Sequence, residues 1–494
     1  MAIIVDTSQL TRNSDVMRSR HTALQIYCCL DTCITREVFD SIYTPKSRES
    51  LPYRYSRLVQ NPALSMMLRG VCVDHEEATI LTFELEAQVR RLEQWWGRLC
   101  VAAMDEGVNH RSPVQLQKLF YEALRLPVQR KRNNKGEQVP TTDRNALEKL
   151  SEYTIAKPFV NTLLKIRDLG KLIQVLKTGL DRDGRLRTTF SVCGTDTWRW
   201  SSYKSPTGDG TNLQNISDRT RRIIISDPGW VLAYPDLEQA ESRFVAYISG
   251  DPNYIEACES GDVHTSCCRM MWPELVDWTG DNEKDKKLAA APYYRHFSYR
   301  DMMKRGGHAS NYMVSPWMLS QHLKIEKSVA EEFQEQYYSA FPYIRDWHHV
   351  VKEELLRTGR ITNVFGFTRQ FFGRRDDNHT LKSAVAQNPQ SSIAILLKMG
   401  MYAVWQELEV KEGRVQLLLD QHDGMLLQFR EGDIAVLDRV RELMTIPVEV
   451  KGRTIIVPVD IKVGYCFDKS SLVSISKAKE LTRPTSKGIL EAKL

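Results

Sequence analysis

Segments with the composition of β-strands occur in two stretches of this chain, and a long helical pattern separates them. The first stretch holds RTTFSV and WVLAY, and the second holds VQLLL, MLLQF and TIIVPVDIKV. Between the two stretches, residues 254–355 predict helices from their apolar periodicity. A strand layer interrupted by a helical insertion indicates an α+β fold, with helical subdomains on either side of the strands.

The segment before the first strands is also mostly helical. Apolar residues recur at three- and four-residue steps in FELEAQVRRLEQWWGRLCVAAM, and SPVQLQKLFYEAL begins with a Ser cap followed by a Pro. The polar, basic segment RLPVQRKRNNKGEQVP predicts an exposed loop. We expect six segments, with residues 469–494 as a flexible basic tail: 1–45, 46–190, 191–253, 254–354, 355–468 and 469–494.

The composition is that of a protein that is neither secreted nor inserted in a membrane, and it says little else about function. The chain has 494 residues, with Lys+Arg 68 against Asp+Glu 62 and a formal net charge of +6. No apolar run approaches the roughly 20 residues that span a bilayer, and we expect neither a secretion signal nor membrane insertion. The ten scattered cysteines show no zinc-finger spacing and predict reduced thiols, some of them buried, in a cytoplasmic protein. The mild basic excess is slightly more consistent with a nucleic-acid partner than with none.

Asp236 follows the apolar strand WVLAY and precedes a helical pattern. Side chains at the end of a strand often converge on functional sites, but Asp is also a favoured helix cap. Taken alone, the position favours the cap.

The segment VQLLLDQHDGMLLQF predicts a β-hairpin, because Asp423-Gly424 is a strong turn signal between two apolar strands. Taken alone, Asp423 is an ordinary turn residue. Two carboxylates at strand ends of one layer, Asp236 and Asp423, would however suit a pair of Mg²⁺ ions that clamp the oxygens of a phosphoryl transfer.

A third pattern supports that conjecture. Arg300, Lys304, His308 and Tyr312 recur every four residues, so on a helix they form one slanting stripe about 18 Å long. Two cations and an aromatic ring along a stripe fit a triphosphate and a base, although a solvated cationic face is the common alternative. Gly306 and Gly307 inside this helix indicate the close approach of a ligand or of neighbouring backbone.

Five motifs occur in a fixed order: Thr195-Asp-Thr-Trp-Arg-Trp-Ser-Ser, Asn212-Leu-Gln-Asn-Ile, D-x-x-Q-x-E-x-R from Asp236, R-x3-K-x7-Y from Arg300, and His422-Asp423. Together they resemble family A DNA polymerases, the bacterial repair and phage replicative kind, over roughly residues 57–468. The resemblance implies a right-hand architecture with an antiparallel-sheet palm and helical thumb and fingers. The six segments then become an exonuclease-domain remnant, the thumb with its preceding helices, a first palm segment, the fingers, a second palm segment and the tail.

The resemblance also implies site residues, matched position by position. Asp236, Asp423 and the carbonyl of Leu237 would bind two Mg²⁺ ions. Arg300, Lys304 and His264 would grip the triphosphate, and Lys304 would also protonate the departing pyrophosphate. Glu241 would be the steric gate against a ribose 2′-OH, and Gln239, His308 and Tyr312 would complete the nucleotide site. The residues that would contact the primer–template are Arg199, Asn212, Gln214, Asn215, Arg369, Gln390 and His422.

Several positions depart from the family pattern. Gly424 stands where Glu is usual, His308 where Phe or Tyr is usual, and Met313 where Gly is usual, and the usual Gln-Gly-Thr/Ser stretch reads Gln390-Ser391-Ser392. With His308 at a position where Phe or Tyr usually packs against the nucleotide sugar, discrimination between ribose and deoxyribose is in doubt. With Gly424 in place of Glu, an accessory carboxylate is missing.

Near the N-terminus, Tyr27-Cys-Cys-Leu-Asp31 followed by Thr35 resembles the last motif of the 3′–5′ proofreading exonuclease that precedes many such polymerase domains. The 26 residues before it cannot supply the remaining carboxylates, so we expect a remnant without proofreading, and another polypeptide could supply an exonuclease or a processivity factor.

The sequence therefore predicts a monomeric, template-directed DNA polymerase that uses primer–template DNA and dNTPs, of phage or phage-derived origin. Two alternatives stay open: a single-subunit RNA polymerase, and a degenerate polymerase that binds DNA without catalysis. DNA affinity is expected from the basic residues of the tail, of loop 125–135, and of the fingers at Arg295, Arg300, Lys304 and Arg305.

Overall fold

The computed structural model describes residues 20–44, 48–133, 135–204, 210–274, 277–421 and 423–480. Contacts divide the chain into two compact units, residues 1–58 and 59–494. In the first unit, α1 (Arg20–Ile42) is a single helix whose side chains are mostly exposed, including Tyr27 and Asp31 of the exonuclease-like motif. Helix α2 (Leu51–Arg69) runs across the boundary between the units.

Helices and short strands alternate through the thumb region of the second unit. Many helices begin at an Asp or Ser whose side chain accepts a backbone N–H from the first turn, as Asp143 does from Ala146. The elements are β1 (Val71–Val73), α3 (His75–Met104), α4 (Pro113–Gln117) with a π-helical continuation (Lys118–Ala123), β2 (Arg130–Arg132), β3 (Gln138–Pro140), α5 (Arg144–Leu150) and α6 (Lys157–Leu176).

The basic loop predicted at residues 125–140 is exposed, as expected, but it is not irregular. Strands β2 and β3 pair as an antiparallel hairpin, with Lys131 opposite Val139. The Asn133 side chain accepts N–H groups of Lys135 and Glu137, which closes the turn locally and explains why a polar segment can still form strands.

The strands from residue 185 onwards, with the helices among them, lead into the long helical block. The elements are β4 (Arg185–Leu186), β5 (Thr189–Ser191), β6 (Ser201–Tyr203), α7 (Asp218–Arg221), β7 (Ile224–Ile225), β8 (Trp230–Leu237) and α8 (Ala240–Ser249). Asp236 lies inside β8, and the residue that precedes α8 is Gln239, so the structure rejects the helix-cap alternative for Asp236.

The fingers region is helical, as predicted, apart from one short hairpin. The elements are α9 (Pro252–Glu259), α10 (Val263–Met271), α11 (Asn282–Leu288), β9 (Pro292–Tyr294), β10 (Phe297–Ser298), α12 (Tyr299–Met302), a π-helical turn (Met303–Gly307), α13 (His308–Asn311), α14 (Pro316–Leu323), α15 (Lys327–Ala340) and α16 (Pro342–Thr358).

The second palm segment supplies most of the central sheet. The elements are β11 (Arg360–Thr362), β12 (Thr368–Gln370), α17 (Asn378–Val404) with a π-helical end (Trp405–Lys411), β13 (Val415–Gln421), β14 (Gly424–Arg430), α18 (Val436–Met444), β15 (Val448–Val450), β16 (Arg453–Ile455), β17 (Val459–Gly464), β18 (Val473–Ser474) and a 3₁₀ helix (Ile475–Glu480).

One strand of the first stretch and four of the second pair into a five-stranded sheet with the order β13–β14–β8–β17–β18, while the other strands form smaller separate sheets. Every neighbouring pair is antiparallel, and β13 and β14 are buried along almost their whole length. The strand β8 from the first stretch lies in the middle, between strands of the second. The α+β fold with an antiparallel-sheet palm is therefore confirmed.

The last sheet strand lies in the segment that was predicted as a flexible tail. Val473 of β18 pairs with Val463 of β17, and Leu472 beside it is buried. These apolar residues let the segment pair as a strand of the sheet, which its Ser/Lys-rich composition did not predict. Residues 481–494 lie outside the described residues.

The described residues include no helix that is both long and apolar enough to cross a membrane. All ten cysteines are unpaired thiols, and Cys100, Cys258, Cys267 and Cys268 are buried, as the sequence predicted for some of them.

Candidate functional site

The central sheet brings Asp236 and Asp423 together. Asp236 lies at the end of β8, and Asp423 lies in the turn between β13 and β14, the strand next to β8. Gly424 is the register partner of Asp236, and the Leu237 N–H donates a hydrogen bond to the Asp423 carbonyl oxygen at 3.0 Å. The predicted convergence of two carboxylates at one edge of the sheet is thus present.

The electrostatics of the pair favour a cation between them. Burial, followed by the neighbouring charge of Asp423, raises the pKa of Asp236 to about 6, and Asp460 and Glu238 act in the same direction. Asp460 is the register partner of Asp236 on β17. The Asp423 Oδ1 atom is buried and accepts no hydrogen bond from a described residue.

These residues fit a hard divalent cation. Burial and the charge of Asp423 disfavour the ionised form of Asp236, and Asp423 Oδ1 has no hydrogen-bond donor among the described residues. Carboxylate and carbonyl oxygens are the ligands that Mg²⁺ prefers. Among the described residues, no group of three or more His, Cys, Asp or Glu side chains converges on one point. The described residues therefore offer two carboxylates and backbone oxygens, which leaves room for ligands from water or substrate.

Arg199 joins this pair to the helix that follows β8. Its Nη2 atom lies 2.9 Å from Glu241 Oε1 and 3.6 Å from Asp423 Oδ1. The other Glu241 oxygen lies 3.2 Å from Nδ1 of His308, which belongs to the fingers. Glu241 is thus held between a palm arginine and a fingers histidine at the position that sequence assigned to sugar selection.

The cationic stripe of the fingers is present, but its helix is not uniform. Residues 303–307 form a π-helical turn between α12 and α13, so the four-residue spacing follows a wider turn than the predicted α-helix. The Lys304 side chain is exposed. Arg300 contacts Asp262 at the start of α10, with Nη2 3.1 Å from Asp262 Oδ1 and Nε 3.4 Å from the Thr265 hydroxyl.

His264, the third predicted triphosphate contact, lies beside these cations on the first turn of α10. Burial lowers its pKa to about 4, and the charges of Arg300 and Lys304 act in the same direction. The imidazole is therefore neutral at pH 7 and offers a hydrogen bond rather than a charge. Gln239, also predicted to contact nucleotide, accepts the Val263 N–H of the same helix through Oε1 at 3.2 Å.

Gly306 and Gly307 are explained by side-chain packing, and not by a ligand or by neighbouring backbone. A Cβ at Gly306 would lie 2.4 Å from the Phe333 ring of α15, and a Cβ at Gly307 would lie 2.3 Å from Met303 Cε and 3.2 Å from Tyr337. The glycines let α15 pack closely beneath the stripe.

A cavity of about 330 Å³ opens between α13 and α17. His308 and Tyr312 line one side of it, and Gln390 lines the other, together with His379, Lys382, Ser383 and Ala386 of the same face of α17. The Tyr312 hydroxyl is buried without a hydrogen-bond partner among the described residues, and burial raises its pKa well above the ordinary value. The cavity therefore joins three predicted site residues.

The remaining predicted DNA contacts differ in their exposure and in their partners. Arg369 lies 2.7 Å from Asp196 and 3.3 Å from Gln387 Oε1. Asn215 is exposed, and its N–H donates to Asn212 Oδ1. Gln214 is buried and donates to Asp420 Oδ2 at 2.8 Å, so its side chain faces the interior. His422 lies outside the described residues.

Sequence reasoning missed a buried ion pair beneath the site. Lys398 of α17 and Asp420 of β13 pair through Nζ and Oδ1, and both side chains are almost wholly buried. The Lys398 ammonium also lies 4.8 Å from the centre of the Trp200 ring. The available signal was a single charge inside each of two apolar runs, SSIAILLKMG and VQLLLDQ, because isolated buried charges need partners.

Lys398→Met should destabilise the fold by about 3–5 kcal/mol, because it leaves Asp420 charged and unpaired in the interior. The double variant Lys398→Met/Asp420→Asn should recover most of that loss, since neither charge then remains buried and the Asn carbonyl can still accept the Gln214 amide N–H. Both are measured as the free energy of unfolding in chemical denaturation.

The matched control is Arg439→Ala, which removes an exposed ion pair with Glu407 and should leave stability unchanged within error. If the double variant loses as much free energy of unfolding as the single variant does, the unpaired charge of Asp420 is not the cause of the destabilisation.

Comparison with known proteins adds an independent line of evidence. A family model described as DNA polymerase family A matches residues 76–469. A thermostable DNA polymerase I of Thermus thermophilus is 31% identical over 433 residues, which cover 82% of this chain and 46% of that protein. DNA polymerase I of Mycobacterium bovis is 28% identical, over 82% of this chain and 43% of its own length.

A solved structure is similar as well: the POL domain of Pol1 from M. smegmatis in complex with DNA primer-template and dNTP. It has a TM-score of 0.68 and 27% identity, over 83% of this chain and 70% of that one. The chain spans about half the length of the curated relatives it matches.

Proposed function

The chain belongs to DNA polymerase family A, and from that premise we propose that it extends a primer 3′-OH with dNTPs under the direction of a DNA template. The observation that carries the proposal is the convergence of Asp236 and Asp423 at one edge of the central sheet, with Asp423 Oδ1 buried and without a hydrogen-bond partner among the described residues. A protein that only bound DNA would have no need to hold two repelling carboxylates there.

In this proposal Asp236, Asp423 and the Leu237 carbonyl hold two Mg²⁺ ions. When bound, such ions lower the pKa of the attacking hydroxyl and neutralise charge on the triphosphate. The chain's own part is to position the reactants. Arg199 fixes Glu241 at 2.9 Å on the nucleotide side of the aspartates, and the β8–β14 pairing fixes the distance between the two strands that carry the carboxylates.

The fingers would bind the triphosphate. Arg300 and Lys304 offer positive charge along the stripe, and His264 is placed beside them as a neutral donor. Lys304 is exposed, and in this proposal it would transfer a proton to the pyrophosphate oxygen that leaves.

Sugar selection would depend on Glu241 and its contact with His308. Because both Glu241 oxygens are engaged, one by Arg199 and one by His308, the carboxylate is held in one orientation where a ribose 2′-OH would collide with it. The cavity between α13 and α17 would receive the base pair that forms, with Tyr312 and Gln390 on opposite walls. Asn212, Gln214, Asn215, Arg369 and His422 would contact the primer–template or support residues that do.

The finer assignments are also proposals. We propose thumb, palm and fingers boundaries at residues 46–190, 191–253, 254–354 and 355–468. We further propose that this chain does not proofread, because Asp31 lies exposed on the single helix α1 and belongs to no group of three or more His, Cys, Asp or Glu side chains among the described residues. A role in phage DNA replication is supported by the divergence at Gly424, His308 and Met313.

Asp423→Asn should reduce the rate of primer extension by about a thousandfold, because it removes negative charge at the reacting centre while it keeps the shape of the side chain. The measurement is single-turnover extension of a primer–template with Mg²⁺ and four dNTPs, with DNA affinity measured in parallel and expected to be unchanged.

Wild-type protein that binds DNA without extending it would support the degenerate alternative. Ribonucleotides used as efficiently as deoxynucleotides would support the RNA polymerase alternative.

Asp262→Asn should raise the affinity for the incoming dNTP roughly twofold to fivefold, because Arg300 would no longer be held by a competing carboxylate. Asn keeps the capping hydrogen bond to the Thr265 N–H, so α10 should remain intact. The measurement is the nucleotide concentration dependence of the extension rate.

Asp281→Asn is the matched control, since Asp281 caps α11 in the same way through the Lys284 N–H but contacts no cation of the stripe among the described residues. A weaker affinity in Asp262→Asn than in the control would mean that Asp262 orients Arg300 for the triphosphate instead of competing with it.

A further inference from the structure

Gly424 lies opposite Asp236 in the sheet, and no side chain fits at this position. A Cβ on Gly424 would lie 2.8 Å from the carbonyl oxygen of Pro235 and 2.9 Å from both Cζ and the hydroxyl oxygen of Tyr234. The first contact is with backbone and the second with an aromatic ring, and neither can move away cheaply. The space beside the Asp423 turn is therefore occupied by the phenol end of Tyr234.

Tyr234 is two residues before Asp236 on β8, so both side chains point to the same face of the sheet. Its ring packs against Phe467, with centroids 5.4 Å apart at 48°. The residue is only half-buried, and no described residue accepts a hydrogen bond from its hydroxyl. A phenol whose ring is fixed by packing and whose hydroxyl has no partner among the described residues is available to a ligand.

The direction of β8 indicates which ligand. The strand runs from Tyr234 through Asp236 towards α8, which carries Glu241 and with it the contact to His308 of the fingers. Along β8, Tyr234 therefore precedes Asp236, whereas the groups assigned to the incoming nucleotide follow it. In an in-line displacement the attacking and leaving oxygens lie on opposite sides of the reacting phosphorus, so the side away from the nucleotide groups is the one left for the end of the primer.

We propose that the Tyr234 hydroxyl is a positioning group that hydrogen-bonds to the terminal nucleotide of the primer, from the position beside the Asp423 turn that Gly424 leaves to the phenol. This inference rests on the proposed polymerase function and adds a residue to it. Gly424 and Tyr234 act as one unit: the glycine is required because the tyrosine reaches over it. The competing explanation is that Tyr234 only fills space against Phe467.

Tyr234→Phe separates the two explanations, because it keeps the ring and removes the hydroxyl. We expect the single-turnover extension rate to fall roughly three- to tenfold, with the dissociation constants for dNTP and for primer–template unchanged. A second readout needs no catalysis: 2-aminopurine as the 3′-terminal base of the primer should become more fluorescent in the Tyr234→Phe complex, because the terminal nucleotide is held less firmly. The same probe placed well upstream in the duplex should not change.

The matched control is Tyr465→Phe, which removes a hydroxyl that bonds to Glu431 beyond the opposite end of the β8–β17 pairing. It should leave both the rate and the terminal fluorescence unchanged.

An extension rate and terminal fluorescence in Tyr234→Phe equal to those of wild type would overturn the inference and leave the polymerase function standing. A wild-type chain that fails to extend primers in the same assay would instead contradict the proposed function itself. A loss of thermal stability in Tyr234→Phe that accounts for the lower rate would show that the residue is structural.

Discussion

The pairing of β8 with β14 is the contact on which the site depends. It sets Gly424 against Asp236 and lets the Leu237 N–H bond to the Asp423 carbonyl, so two carboxylates from distant segments of the sequence are fixed at one edge of the sheet. Repulsion between them and burial oppose this arrangement, as the raised pKa of Asp236 shows. The sheet holds a local geometry that the charges alone would disfavour, and a bound cation would relieve the repulsion.

Charged groups around the two aspartates offset part of the repulsion between them. Arg199 lies 3.6 Å from Asp423 and compensates some of its charge, while its stronger contact is with Glu241. Below the strands, Lys398 and Asp420 neutralise each other in the interior, and Gln214 satisfies the second oxygen of Asp420. The polar residues of the sequence motifs therefore fall into two groups. Some, such as Asp236 and Asp423, form the candidate site itself, and others, such as Gln214, are buried beneath it and hydrogen-bond to interior residues.

The sequence was informative where the signal is local. Strand periodicity and the Asp423-Gly424 turn predicted the hairpin, and the split between two strand-rich stretches predicted the mixed fold, because both depend on neighbouring residues. The ordered motifs were sufficient to identify the family. Contacts between distant segments were not predictable in this way: the Arg300–Asp262 pair, the Lys398–Asp420 pair and the Phe333 ring against Gly306 each join residues whose spacing carries no pattern. The strand β18 was missed because its few apolar residues were surrounded by a Ser/Lys-rich composition.

In the proposed function, Asp236 and Asp423 hold the metal ions of a nucleotidyl transfer. The most direct measurement counts Mn²⁺ bound to the chain by electron paramagnetic resonance, in a complex with a dideoxy-terminated primer–template and the matching dNTP. We expect about two bound ions per complex for the wild-type chain and fewer for both Asp236→Asn and Asp423→Asn. Binding that is absent in the wild type, or that is the same in all three proteins, would contradict it.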